Sequence, residues 1–273
     1  MGTVKSSPHS DRAGMVSAAV IIAAALALGA ASYARNAVWS TPVSLWADIT
    51  AKSPMKARAH YNYATSLSGT GNLNEAMEEN LKAISLKPGY GKAHFNIGAI
   101  LHAWGRVDEA IEKYRLALAL KPDIAEARNN LGYAYYSKGM LDEAMREYAM
   151  ALKIKPGHLK AHLNMGYVYR DKGMLDEAIT EYRKALSIRP AYAMARQNIG
   201  QAFMLKGMFR EAESEFRAAL SIDPGAVDAH TGLGEALSGL GMNREAALEF
   251  EAALGIDPRN EKAAQGLART KAF

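Results

Sequence analysis

Residues 125–156 read AEARNNLGYAYYSKGMLDEAMREYAMALKIKP. In the first half, Leu131 and Tyr135 recur at helical spacing, and Gly139 then supplies a residue able to take the left-handed conformation that ends a helix. Asp142 and Glu143 follow, acids that favour a helix N-terminus, and the second apolar run stops before Pro156. The stretch is therefore a predicted helical hairpin.

The same pattern extends in both directions. Pro88, Pro122, Pro156, Pro190, Pro224 and Pro258 fall at one fixed spacing, and Gly71, Gly105, Gly139, Gly173, Gly207 and Gly241 keep a constant distance before them. A strict period of this length means repeated supersecondary units. Small residues recur where paired helices must approach closely, at Ala64, Gly98, Gly132, Gly166, Gly200 and Gly234 in the first helix. In the second helix the small places are Ala76, Ala110, Ala144, Ala178, Ala212 and Ala246. Four residues after the last five of these stands a ring, Tyr114, Tyr148, Tyr182, Phe216 or Phe250, large enough to fill the space between hairpins; Asn80 is the exception.

Small residue, aromatic and closing proline, in this order and at this period, resemble the tetratricopeptide repeat family over residues 57–260, read as six repeats. The resemblance implies an all-α fold, a right-handed α-solenoid of stacked helical hairpins. One departure lies at the fourth place, often tryptophan in the family, which here holds His60, His94, Arg128, His162, Arg196 and His230. Looser or more polar packing is expected there. The register continues outward: Thr41 to Lys52 reads as a lone second helix in segment 35–56, with Trp46 in the ring's place, Thr41 as N-cap and Pro42 at the first helical position. Residues 261–273 supply a lone first helix. Both cap the stack, and the array needs no cofactor to fold.

At 273 residues, 49% hydrophobic and 22% charged, the chain is of ordinary globular composition, and without cysteine it has neither disulfides nor thiolate metal sites. A net charge of +5 is spread among alternating acids and bases, which argues against nucleic acid. The one compositional break is residues 13–34, which follow the tail 1–12 and carry no charge between Arg12 and Arg35. At about 1.5 Å per residue this segment is roughly 33 Å long, enough for a hydrocarbon core of about 30 Å. It reads as one N-terminal transmembrane signal anchor, with a cleaved signal peptide as the alternative, since Ser32 and Ala34 precede Arg35. Either places the repeats outside the cytoplasm, on the periplasmic side of a bacterial-type membrane. Tyr33 and Trp39 are candidate interface anchors.

In the family, first helices line a concave groove, and the resemblance implies that their sixth and neighbouring places face it. The sixth place here reads Asn62, Asn96, Asn130, Asn164 and Asn198, then Gly232. An asparagine side chain offers one acceptor and two donors, matching the C=O and N–H groups of an extended peptide. The row is similar to the asparagine ladder in the repeat domain of O-linked N-acetylglucosamine transferases. Five such bonds net about 2.5 to 7.5 kcal/mol, short of the roughly 8.2 kcal/mol of micromolar affinity. Side chains on the same face must supply the rest, and Tyr61, Phe95, Tyr133, Tyr136, Tyr167 and Arg170 are the candidates.

Catalytic and metal readings find no support. His158 and His162 have chelating spacing, but His158 lies in the turn after Pro156 and no third ligand is evident. Acids such as Asp176 and Glu177 recur as helix-start residues in every unit. The expected function is thus a non-enzymatic, membrane-tethered scaffold that binds a protein or peptide partner. Two alternatives stay open. One is self-association into a structural layer. The other is an accessory repeat domain of a membrane glycosyltransferase system, because Arg35-Asn36-Ala37-Val38-Trp39, Leu45-Trp46 and Lys52-Ser53-Pro54 resemble the junction after the last span in such enzymes.

Overall fold

The computed structural model describes residues 20–33, 36 and 39–270, all helices and short turns. Helix α1 covers residues 20–33. It is followed by α2 (Pro42–Lys52), α3 (Ala57–Gly69), α4 (Leu73–Leu86), α5 (Gly91–Ala103), α6 (Val107–Leu120), α7 (Ala125–Ser137) and α8 (Leu141–Ile154). The remainder are α9 (Leu159–Asp171), α10 (Leu175–Ile188), α11 (Ala193–Leu205), α12 (Phe209–Ile222), α13 (Val227–Gly239), α14 (Asn243–Ile256) and α15 (Glu261–Thr270). The chain divides into two compact units, Met1–Ile100 and Leu101–Phe273, the division falling within α5.

In the first unit α3 and α4 form a hairpin and α2 packs on α3. Its core gathers Ala64, Leu67, Ala76 and Ile100, with Val43, Tyr63, Leu73 and Met77 around them. In the second unit α7–α8, α9–α10, α11–α12 and α13–α14 are hairpins, and each second helix also packs on the first helix that follows. A core running from Leu163 to Ala263 joins successive hairpins, as stacking of units that cannot bury an apolar face alone requires.

What closes each hairpin of the second unit is a ring set on a residue without a side chain. A Cβ added to Gly132 would lie 2.7 Å from the Tyr148 ring, one on Gly166 2.3 Å from Tyr182, and one on Gly234 2.7 Å from Phe250. The rings themselves are fully buried. The connecting turns are just as constrained: Gly139 and Gly173 adopt φ of +74° and +76°, where a Cβ is strained. In the first unit Asn80 takes the ring's place, buried, its amide donating to the Ala76 carbonyl at 2.8 Å.

The end helices follow local chemistry. Thr41 caps α2 through a capping box, its hydroxyl accepting from the Ser44 amide at 3.1 Å, with Pro42 opening the helix. Asn260 caps α15 by accepting from the Ala263 amide at 2.9 Å.

The fourth place is polar but not loose. His60 and His162 are buried, and each directs Nδ1 to a carboxylate of the second helix, Glu79 and Glu181, at 2.6 Å. Arg128 reaches Glu147 at 2.9 Å, Arg196 reaches Glu215 at 3.0 Å and His230 reaches Glu249 at 2.7 Å. In these five repeats the place that a tryptophan would fill with apolar bulk is filled by a polar side chain bonded to an acid of the second helix, whereas His94 meets only the Pro88 carbonyl, at 3.0 Å.

Of the predicted anchor 13–34, residues 13–19 and 34 lie outside the described residues, as do 1–12 and 271–273. Residues 20–33 form α1, the part of the predicted anchor that falls within the described residues. No helix among the described residues is long and apolar enough to cross a membrane.

Because Tyr182 occupies the volume that a Cβ on Gly166 would need, Gly166→Ala is expected to destabilise the repeat array by about 1–3 kcal/mol, read as a lower urea midpoint. An unchanged midpoint would mean that the ring moves aside freely.

Candidate functional site

In the second unit α7 touches α9, α11 touches α13 and α13 touches α15, whereas no two successive second helices are in comparable contact among the described residues. First helices crowd together and second helices splay, so the first helices form the inner side of a curve. The predicted site residues all lie on first helices of their hairpins, four in the first unit and seven in the second.

In the first unit, Tyr61 packs its ring 5.1 Å from that of Tyr90, at a tilt of 58°. Asn96 donates to the Thr65 hydroxyl at 3.1 Å and lies 3.5 Å from the Asn80 carbonyl oxygen. Asn62 and Phe95 are half-buried.

In the second unit, most of the predicted residues join two networks. One begins at Tyr136, whose hydroxyl donates to Asp171 at 2.5 Å. The Arg170 guanidinium donates to the same carboxylate at 2.9 and 3.0 Å and lies over the Tyr167 ring, 5.4 Å from its centroid. Asn198 donates to the Tyr167 hydroxyl at 3.1 Å. The other network runs from Asn164, which donates to Asn129 at 3.0 Å, through Asn129, which donates to Asn130 at 3.2 Å. Asn130 in turn is hydrogen-bonded to the Tyr114 hydroxyl. Tyr133 stands apart from both networks, 46% exposed, its ring 5.3 Å from that of His102.

Charge on this face is internally compensated. The Arg170 cation is spent on Asp171, and Lys155 reaches Glu126 at 3.4 Å. Burial, then the hydrogen bond to Asp171, pushes the Tyr136 hydroxyl up to about 12. Burial pushes His102 down, so its ring is uncharged at neutral pH. His158 caps α9 by accepting from the Ala161 amide, and His162 has both ring nitrogens engaged, so the pair does not converge on a common ligand position.

A signal missed in the sequence governs the asparagine row. Sixteen residues after each ring place comes the sixth place of the next first helix: Trp46 and Asn62, Asn80 and Asn96, Tyr114 and Asn130, Tyr148 and Asn164, Tyr182 and Asn198. The series ends with Phe216 and Gly232, then Phe250 and Gly266. Asparagine follows wherever the ring place carries a polar atom, and glycine follows phenylalanine. The structure supplies a reason: a Cβ on Gly232 would lie 2.4 Å from the Phe216 ring, and one on Gly266 2.4 Å from Phe250. The sixth place is thus the far wall of the ring's slot. At the C-terminal end, where glycine replaces asparagine, a cavity of about 270 Å³ opens between Glu235, Ser238, Phe250, Gly266 and Arg269.

Stacked hairpins with an inner row of first helices define a helical-repeat protein built to present a surface. A family model described as TPR repeat matches residues 98–139, 132–173 and 166–207, and models described as tetratricopeptide repeat match 203–269 and 57–90. The chain carries tetratricopeptide repeats. Among solved structures it is similar to the Cut9–Hcn1 hetero-tetramer of the APC/C, at 19% identity and TM-score 0.71, over 83% of this chain. It spans 45% of that chain's length. It is also similar to PilW, described as a widely conserved type IV pilus biogenesis factor, at 22% identity and TM-score 0.70, covering 77% of this chain and 98% of that one. A third is YrrB, described as a TPR protein with an unusual peptide-binding site, at 21% identity and TM-score 0.56, covering 67% and 95%. At these identities the likeness is one of fold. No curated protein sequence matches the chain.

Two outcomes test this reading of the inner face. Asp171→Asn removes the negative charge beside Tyr136, so its phenol is expected to titrate below about 12 in an ultraviolet pH titration; no change would mean that burial alone holds it up. The raised value stabilises the fold below the ordinary tyrosine range, near pH 10, and that contribution is lost as the pH rises through about 12. In a double-mutant cycle, Tyr114→Phe and Asn130→Gly are expected to couple by about 0.5–1.5 kcal/mol, since each removes the other's hydrogen-bond partner.

Proposed function

We propose that the chain is a protein-interaction scaffold whose second unit receives an extended segment of a partner protein along the inner face of α7, α9 and α11. The observation that carries the reading is the set of tyrosines on that face: Tyr133 is nearly half exposed, and Tyr136 and Tyr167 are half-buried and held by Asp171, Arg170 and Asn198. Rings fixed by their neighbours lose little entropy when a partner covers them, which favours aromatic side chains as anchors. Asn130, Asn164 and Asn198 already bond within the protein, so a peptide would share their remaining donors and acceptors, and the rings would carry most of the affinity. The fold shared with YrrB, whose description names a peptide-binding site, supports a groove of this kind.

Residues 13–34 would tether the scaffold to a membrane, with the repeats on the non-cytoplasmic side. Support for the tether is the uncharged run itself and the side chains of α1, where Val20, Ile21, Ile22, Leu26 and Leu28 are all exposed.

The test is crosslinked affinity purification from native membranes, comparing the wild-type chain with one carrying Asn130→Ala, Asn164→Ala and Tyr167→Ala, after circular dichroism shows equal helicity. A partner recovered with the wild type is expected to fall at least tenfold with the variant. Equal recovery would move the binding surface off this face.

A further inference from the structure

We propose that the cavity at the C-terminal end of the inner face is a socket for one tyrosine side chain of a bound partner segment. That a partner reaches it rests on the inner-face reading above, while the chemistry of the socket stands on its own residues. The cavity, about 270 Å³, is bounded by Glu235 and Ser238 of α13, Phe250 of α14, and Gly266 and Arg269 of α15. Its floor is the Phe250 ring, which is fully buried and lies where a Cβ on Gly266 would come within 2.4 Å of it.

Two side chains decide whether such a cavity opens: the one at the sixth place of a first helix, and the one at the twelfth place of the first helix before it. The twelfth place reads Ser68, His102, Tyr136, Arg170, Met204 and Ser238. Along α7, α9 and α11 it is filled. Burial, and then the neighbouring Tyr136 and Tyr133, hold the Tyr148 hydroxyl above its ordinary range, which puts both tyrosines beside that buried ring, as Ser238 and Glu235 are beside Phe250. Next to Phe216, where Gly232 leaves the sixth place without a side chain, Met204 packs onto the core. In the first unit Ser68 is again short, but Asn96 holds the sixth place, and the cavity there is only about 130 Å³. Ser238 and Gly266 are the one such pair in which both are small. A cavity of about 150 Å³ is enough to hold benzene, so the C-terminal one admits an aromatic ring and the first-unit one does not.

The charges at the rim select the ring. Among the described residues Glu235 has no bonded partner and Arg269 has one, the Gln265 carbonyl, to which Nε donates at 3.3 Å. Both are exposed. A cationic side chain in the cavity would face the Arg269 guanidinium and an acidic one the Glu235 carboxylate, each a like-charge contact. A phenyl ring would fill the volume and leave the carboxylate without a donor. A phenol suits every wall: it packs on Phe250, offers its face to the guanidinium and donates its hydroxyl to the carboxylate. The protein uses the same three contacts on its own tyrosines. Arg170 lies over the Tyr167 ring, 5.4 Å from its centroid, Tyr167 packs edge-on against the buried Tyr182 at 5.8 Å, and the Tyr136 hydroxyl donates to Asp171 at 2.5 Å. At the C-terminal end the buried ring, the guanidinium and the carboxylate are Phe250, Arg269 and Glu235, and the phenol is left for a partner to supply.

The deciding experiment is an amide NMR titration of the full chain, held in mild detergent, with N-acetyl-L-tyrosinamide. Saturable shifts are expected at Ser238, Gly266 and Arg269 in the millimolar range open to so small a ligand. N-acetyl-L-phenylalaninamide is expected to bind about threefold more weakly, for want of the hydrogen bond, and N-acetyl-L-argininamide without saturation. Glu235→Ala is expected to level the tyrosine and phenylalanine probes, and Ser238→Tyr, which returns a ring to the twelfth place, to weaken the tyrosine probe at least about tenfold. Glu235 is exposed, so its variant decides if Ser238→Tyr loses helicity. No saturable shift at Gly266, equal binding of the tyrosine and arginine probes, or a tyrosine preference that survives Glu235→Ala overturns the socket. The Asn130→Ala, Asn164→Ala, Tyr167→Ala variant changes none of the lining residues and is expected to bind the probe as the wild type does, so failure of the socket and failure of the groove are read separately.

Discussion

In the second unit every hairpin depends on one contact, a ring of the second helix pressed against a place on the first helix where no side chain exists. The contact is demanding because both partners are fully buried and neither has room to adjust: Tyr182 stands where a Cβ on Gly166 would be, and Phe250 where a Cβ on Gly234 would be. Close packing of this kind behaves as an all-or-none constraint, since interiors have the density of crystals and yield little to an added methyl group. Ring and glycine fix the approach of the two helices, and the left-handed glycine of the turn then only has to reverse the chain.

The same ring also reaches forward. Its far edge meets the sixth place of the next first helix, which is how Phe216 comes to sit between Gly200 and Gly232. The inner surface is consequently not independent of the core. An asparagine at the sixth place is at once a wall of a buried slot and a polar group on the inner face, and Asn130 shows the double role by bonding Tyr114 below and Asn129 beside it. Where the core ring is phenylalanine, no polar neighbour is needed, glycine enters, and the inner surface hollows out beside Glu235 and Arg269. The choice of tyrosine or phenylalanine in the core therefore shapes the inner surface.

Much of this was legible in the sequence because the repeat multiplies each signal. One proline before a turn is weak evidence, but prolines in fixed register from Pro88 to Pro258, each with its glycine, leave only stacked hairpins, and Thr41-Pro42 marked the start of α2 to the residue. The fate of the polar groups was less legible. That Asn164 would bond Asn129, or Asn198 the Tyr167 hydroxyl, depends on neighbours far along the chain that side-chain reach alone decides. The pairing of ring place with sixth place was visible in principle, as a correlation sixteen residues apart, but it becomes meaningful only once the ring is known to reach past its own hairpin. The fourth place was only partly legible for a similar reason. A histidine in place of a tryptophan pointed to looser or more polar packing, and the packing is polar, because the acid that completes it, Glu79 or Glu181, stands on the other helix.

That acid changes what the fourth place is for. An apolar side chain there would contribute packing at every pH, and a buried ion pair is seldom more stabilising than the hydrophobic residue it replaces, because both charges must give up water. The pairs His60–Glu79 and His162–Glu181 offset part of that loss with the proline carbonyl and with Lys82 or Lys184, so that every donor and acceptor is satisfied. Arg128 and Arg196 reach their acids through Nη1, although Arg128 Nε stays buried without a partner. Repeats of one architecture thus join their first and second helices with different side chains at the same place, histidine at His60, His162 and His230 and arginine at Arg128 and Arg196, each meeting an acid of the second helix.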